Sequence, residues 1–143
     1  GHDVEWIDAD SVSLGVYTSK FVQMCYGVGA SAFIRNGPIF SATSVMVRRD
    51  RIPTYGFHPW LSVVSDWKMW LDVIGVTGLY GYIPGVWAQY RRHGKNVTGK
   101  LSLIIIRDIF LTAGLALWDF RGRYLQDWVV YFMSRLVKRC IRR

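Results

Sequence analysis

Cysteine is scarce in this chain of 143 residues: Cys25 and Cys140 lie far apart, with no CxxC spacing and no paired histidine. That excludes a thiolate zinc site and a disulfide framework, and a reducing compartment is the default expectation. Acidic residues are also few, ten against eighteen lysines and arginines, for a formal charge of +8 and a pI near 9.8. Such a balance suits phosphates, anionic lipid or nucleic acid. The basic residues gather on one loop and one terminal stretch without a nucleic-acid-binding motif, so nucleic acid is not the expected partner. No signal peptide opens the chain, so the glycosylation triplet Asn96-Val97-Thr98 reads as incidental. No run reaches the ~20 apolar residues of a bilayer span, because Arg107 and Asp108 interrupt the apolar stretch 101–118. Also missing is an N-terminal apolar strand followed by a Gly or Ser turn and a helix, the opening of a nucleotide-binding half.

Aromatic side chains, by contrast, are plentiful. Seven Trp, eight Tyr and seven Phe, 51% hydrophobic residues and a mean hydropathy of +0.16 describe a single-domain length with an unusually apolar composition. That fits a chain that exposes a former interface or lies on a membrane surface.

The most informative stretch is 65–93. Trp67, Trp70, Leu71 and Ile74 fall at i, i+3, i+4 and i+7, which predicts an amphipathic helix with Lys68 and Asp72 on its flanks. Ser65 is the expected N-cap, placing Asp66 in the first turn, where free N–H groups and the helix dipole favour an ionised carboxylate. A turn-rich passage follows, then an edge strand over 79–83 ended by Pro84, and Trp87 to Tyr90 lead into Arg91-Arg92-His93-Gly94-Lys95. Those cations beside a glycine form either an anion pocket or a basic surface loop.

Ahead of this stretch, Asp8, Asp10 and Ser11 predict the turn of an edge hairpin, with 12–17 as a short strand; metal binding by the Asp-x-Asp pair is the alternative. A weak helix over 19–26 ends at Gly27-Val28-Gly29, Asn36-Gly37-Pro38 marks a turn, and 39–47 reads as a strand. Residues 48–53 open with a charge run that reads as solvated surface, and Tyr55 to Trp60 are an aromatic loop held by Gly56 and Pro59. Beyond 100, Leu103, Ile106, Phe110, Ala113 and Leu117 form one apolar stripe, and a glycine turn follows. In the last helix Leu125, Trp128, Val129, Phe132, Leu136 and Cys140 make the apolar side, and Arg135, Lys138, Arg139, Arg142 and Arg143 the basic side. Such a helix lies either in a membrane interface or against its own domain with a solvated basic end.

Several blocks in order carry a resemblance: Ser41 to Arg49, Gly56-Phe57, Ser65-Asp66-Trp67, Gly81-Tyr82-Ile83-Pro84, and Tyr90-Arg91-Arg92-His93 with Asn96 behind. Over about Ile34 to Asn96 the chain resembles the acceptor-side half of a family 2 glycosyltransferase of the GT-A fold, with Ser65 standing where the family usually has Glu. The resemblance implies an α/β fold: a partial GT-A domain over 1–99, with a few-stranded sheet and flanking helices, then a helical pair over 100–143. It implies inverting transfer from a nucleotide-sugar donor to a glycan or lipid-linked acceptor, the nucleotide half being supplied by a missing N-terminal segment or a second copy. Asp66 matches the catalytic base, since a sugar hydroxyl must lose its proton as the glycosidic bond forms. Arg91 and Arg92 match diphosphate-binding positions and His93 a position at the divalent metal, Mn2+ or Mg2+, which would neutralise the leaving group. Ser41, Thr43 and Ser44 match positions beside the acceptor pocket, though strand hydroxyls bonded to backbone are the alternative. His58 and Trp60 join them as acceptor-side candidates, because aromatic faces suit sugar rings; the other readings are a loop histidine and a core tryptophan. The expected location is cytoplasmic, peripheral on the membrane face.

Overall fold

The computed structural model describes residues 1–17, 29–37, 40–75, 78, 80–93, 96 and 103–141, without the side chains of 136 and 138–141. The helix expected over 19–26, Cys25, the side chain of Cys140, Lys95 and two residues of the 96–98 triplet lie outside that set. The architecture is α/β: among the described residues, three strands and four α-helices.

Strands β1 (His2–Ile7) and β2 (Ser13–Tyr17) form the expected antiparallel hairpin. Its turn is made by Asp8, whose Oδ1 accepts the N–H groups of Asp10 and Val12, each at 2.9 Å. This is the local side-chain turn that Asp favours, and it brings Ser11 to a φ of 67°. Strand β3 (Ile83–Arg91) runs parallel to β1, so the sheet order is β2-β1-β3. The expected strand over 79–83 is corrected here: the strand starts where that one was to end and continues to Arg91. Proline does not end it because β3 is an edge strand and Pro84 and Gly85 bulge out of the ladder between the His2–Ile83 and Asp3–Val86 pairs. Gly85 takes a φ of 126°, and Asp3 receives its N–H at 3.2 Å together with the Tyr82 hydroxyl at 2.6 Å.

The chain between β1 and β3 makes the long crossover that a parallel pair requires. It contains α1 (Ala30–Asn36) and α2 (Ser65–Ile74). The strand expected over 39–47 is a second correction: Ala42–Ser44 is a 3-10 turn. The Ser44 N–H and Oγ both donate to the Ser41 carbonyl, at 3.0 and 2.9 Å, so hydroxyl and backbone close a turn in place of a ladder. A second 3-10 turn, Arg49–Arg51, occupies the charged segment.

Helix α2 buries the face its spacing predicts: Trp67, Trp70, Leu71 and Ile74. Two details differ. Val64 occupies the cap position and no side chain caps the helix, so Ser65 is its first residue and not its N-cap. Lys68 is fully buried instead of flanking, because its ammonium reaches Asp72 at 2.6 Å and Asp119 at 2.8 Å.

Helices α3 (Leu103–Asp119) and α4 (Leu125–Ile141) are joined by a tight turn in which Arg121 and Gly122 take positive φ. Their orientation corrects the expected stripes in part: Ala113 and Trp128 are buried and Leu117 and Phe132 pack against the core, but other members face outward. Helix α3 buries Asp108, Thr112, Ala113 and Ala116, and leaves Leu103 and Phe110 exposed. Helix α4 buries Asp127, Trp128 and Tyr131 and exposes Leu125 and Val129. The core is therefore mostly helical, with Phe33 and Ile34 of α1, the α2 face, Phe120, Trp128 and Tyr131 in one cluster. The sheet adds little to it. Val4 and Ile7 are its buried apolar residues, while β2 is exposed throughout.

Candidate functional site

Asp66 sits in the first turn of α2, half-buried, and its Oδ1 accepts the N–H of Trp67 at 2.7 Å. Burial pushes its carboxyl above the ordinary value, and the backbone hydrogen bonds pull only partly the other way. The sequence alone predicts a carboxylate eased by the helix terminus; the structure adds a desolvation that outweighs it. Such a group is a stronger base than an exposed aspartate.

The predicted cations gather at another place. Because β1 and β3 are parallel, their C-terminal ends share one sheet edge, where the Arg92 N–H meets the Ile7 carbonyl at 2.7 Å. The Arg91 guanidinium donates to the carbonyls of Asp8 and Ala9, at 2.9 and 2.8 Å, and to Ser11 Oγ at 3.0 Å. It thus braces the hairpin turn. The Arg92 guanidinium lies 4.3 Å over the Trp6 ring, which itself stacks on Tyr17. Asn96 fastens the next turn: its side-chain carbonyl accepts the His93 N–H and its amide donates to the Arg91 carbonyl at 3.1 Å. All three cationic side chains are exposed. Among the described residues no three His, Cys, Asp or Glu are grouped as a metal would need, and Asp8 spends Oδ1 on its own turn.

The acceptor-side candidates divide likewise. Ser41, Thr43 and Ser44 bond to one another, with Ser41 Oγ 2.8 Å from Thr43 Oγ1, and Ser44 is buried while Thr43 is exposed. Their turn packs against β1 and β3. His58 lies between Tyr55 and Trp60 in a chain of edge-on rings with centroids 5.5 and 5.4 Å apart. Trp60 is 67% exposed, so it is not a core residue.

A cleft of about 460 Å³ opens elsewhere, between the C-terminal half of α2 and the start of the sheet. Phe33, Phe40, Trp70 and Tyr80 supply aromatic walls, and Arg48 and Arg51 contribute the charge. Neither Asp66 nor Arg91, Arg92 or His93 lines it. Trp70 follows Asp66 by one helical turn, about 6 Å along the axis. The β3 strand carries Arg91 about 26 Å beyond Ile83, at the opposite end from the Gly81 rim. The predicted residues thus occupy separate places: the acid beside the helical core, the cations at the far sheet edge.

Sequence reasoning missed the buried charge network. Besides the two Lys68 contacts, Asp72 Oδ2 accepts the Tyr55 hydroxyl, which burial and the adjacent carboxylate push well above its usual range. The i,i+4 spacing of Lys68 and Asp72 was visible in the chain, but not the arrival of Asp119 from α3. It also missed Asp108. That fully buried carboxylate accepts the N–H groups of Ser62 and Val63 at 2.7 Å each and pairs with Arg107 at 2.6 Å. Burial pushes it upward, yet Arg107 and the two backbone donors prevail and hold it below its ordinary value. Arg48 and Arg51 are exposed, as their reading as solvated surface has it, and they also line the cleft. No family model, no curated protein and no solved structure matches this chain.

Proposed function

We propose that the chain is the acceptor-side part of a GT-A glycosyltransferase of family 2, acting in inverting transfer from a nucleotide-sugar to a hydroxyl of a glycan or lipid-linked acceptor. The observation that supports it best is the state of Asp66, half-buried with its carboxyl pushed up by desolvation, at the position where the ordered sequence blocks put a base. In the reaction the acceptor oxygen bonds to the anomeric carbon, the bond to the diphosphate breaks, and the acceptor proton passes to Asp66. The exposed Trp60 ring, with the half-buried His58 edge-on to it, offers a face for a sugar to stack on.

The roles at the sheet edge are narrower than the resemblance implies. Arg91 is committed to the hairpin turn, which leaves Arg92 and His93 as the exposed side chains at that edge for a diphosphate. The described residues do not assemble a ligand set for Mn2+ or Mg2+, and proton removal by Asp66 does not depend on one.

The test is release of nucleoside diphosphate from UDP- and GDP-sugars by the chain and by Asp66→Asn. We expect release to be abolished in the variant, and in the parent to fall on acidification through a pKa above the ordinary aspartate value, because the base must be deprotonated. Equal release by both proteins removes Asp66 from the mechanism.

A further inference from the structure

Helix α3 is turned so that five of its bulky apolar residues point away from the protein, while Ile109 and Leu117 pack partly against the core. At 100° per residue, Leu103, Ile104, Phe110, Leu111 and Trp118 share an arc of about 120°. All of these are exposed, Trp118 at 84%. The opposite arc, which faces the core, carries Asp108, Thr112 and Ala116. This inversion has a cause: Asp108 is held inward by Ser62, Val63 and Arg107, and Asp119 by Lys68. Helix α4 repeats the pattern, with Leu125, Val129, Val130, Met133 and Val137 on one exposed arc. The Phe110 and Phe132 rings stack at 5.0 Å and join the two helices.

Charge identifies what this face meets. The three carboxylates of α3 and α4, Asp108, Asp119 and Asp127, are each paired with a cation inside the protein. The interhelical turn presents Arg121 and Arg123 beside Trp118, both exposed and, among the described residues, without an ion-pair partner. An apolar face flanked by uncompensated cations suits the boundary between anionic headgroups and acyl chains. A second copy suits it less, since it would bring like charges together on a chain of net charge +8. Among the described residues no helix is long and apolar enough to cross a membrane. The face would lie in the interface and not span it.

We propose that the outward face of α3 and α4, with the Trp118, Arg121 and Arg123 turn, docks on the surface of an anionic phospholipid bilayer. The proposal uses no residue assigned to glycosyl transfer and stands whether or not Asp66 is a base. Flotation of the whole chain with phosphatidylcholine vesicles, and with vesicles in which part of that lipid is replaced by phosphatidylglycerol, tests it. We expect binding to the anionic vesicles, weakened by salt, and weaker by about fivefold per arginine in Arg121→Gln/Arg123→Gln. Trp118→Ser/Val129→Ser should weaken binding to every vesicle while far-UV circular dichroism and the thermal midpoint stay unchanged, since both side chains are exposed. Absence of binding to anionic vesicles overturns the proposal, as does binding that neither double variant alters. A dimer in sedimentation that Trp118→Ser/Val129→Ser dissolves would show instead that a second copy covers the face.

Discussion

Helices α2 and α3 both carry many apolar residues, yet α2 buries chiefly aromatic and aliphatic side chains, with Lys68 among them, and α3 chiefly small or polar ones. Helix α2 turns Trp67, Trp70 and Leu71 into the core; α3 turns Asp108, Thr112 and Ala116 inward and sends Phe110 and Trp118 to the surface. Periodicity defines a stripe but does not say which side of the helix faces the protein. That choice falls to the polar groups. A carboxylate that satisfies two backbone N–H groups and a guanidinium competes with a stripe of leucines for the inward side, because each donor left unpaired would cost about 1–3 kcal/mol, as much as one buried leucine contributes.

The largest contrast is between two tryptophans. Trp67→Ala on α2 should cost about 3–5 kcal/mol in urea unfolding, by lost burial and the cavity left, whereas Trp118→Ala on α3 should change stability by less than about 0.5 kcal/mol. Similar losses at both positions would mean that α3 buries its apolar side and would break the comparison. The next effect tests the clamp between the two helices. Lys68→Ala leaves Asp72 and Asp119 without their shared cation, and an orphaned buried charge pair costs about 3–5 kcal/mol; with Asp119 partly exposed, the lower end is expected. A loss below about 1 kcal/mol would show that Lys68 is solvated.

The smallest effect probes what holds α3 in its orientation. Asp108→Asn keeps the shape but loses charge-assisted hydrogen bonds worth about 1.5–3 kcal/mol each, partly retained by the amide oxygen. The native carboxyl lies below its ordinary value, so the unfolded chain takes up its proton first. Its contribution is then present above the unfolded-state pKa and is lost as pH falls through the lowered folded-state value. Unfolding followed across that acid window should fall more steeply in the parent than in Asp108→Asn; parallel curves would show that Asp108 is not held ionised by its partners.

Much of this was legible in the chain, and the exceptions have physical reasons. The α2 stripe, the Asp8 turn and the aromatic loop rest on interactions within a few residues, which local rules describe. The segment at Ser41 to Ser44 read as a strand because its residues have β-forming side chains, but hydroxyls close in sequence completed a turn first. Pro84 read as a strand end because its missing N–H interrupts a ladder, and the edge position of β3 removed that objection. Of the proposed site, the first-turn position of Asp66 and the adjacency of Arg91 to His93 follow from spacing. Which way Arg91 points did not, since its acceptors are backbone carbonyls some eighty residues earlier.

The amino-acid sequence by itself determined where α2, α3 and α4 run, where the hairpin turns and how much apolar surface the chain must place, because those follow from periodicity, turn chemistry and composition; it did not show α1. Only the tertiary structure decided which faces are buried, that Lys68 is enclosed and that Arg91 braces a turn. Those outcomes depend on distant groups arriving to satisfy one another, and a buried donor or carboxylate left without such a partner costs about 1–3 kcal/mol, as much as a leucine gains by turning inward.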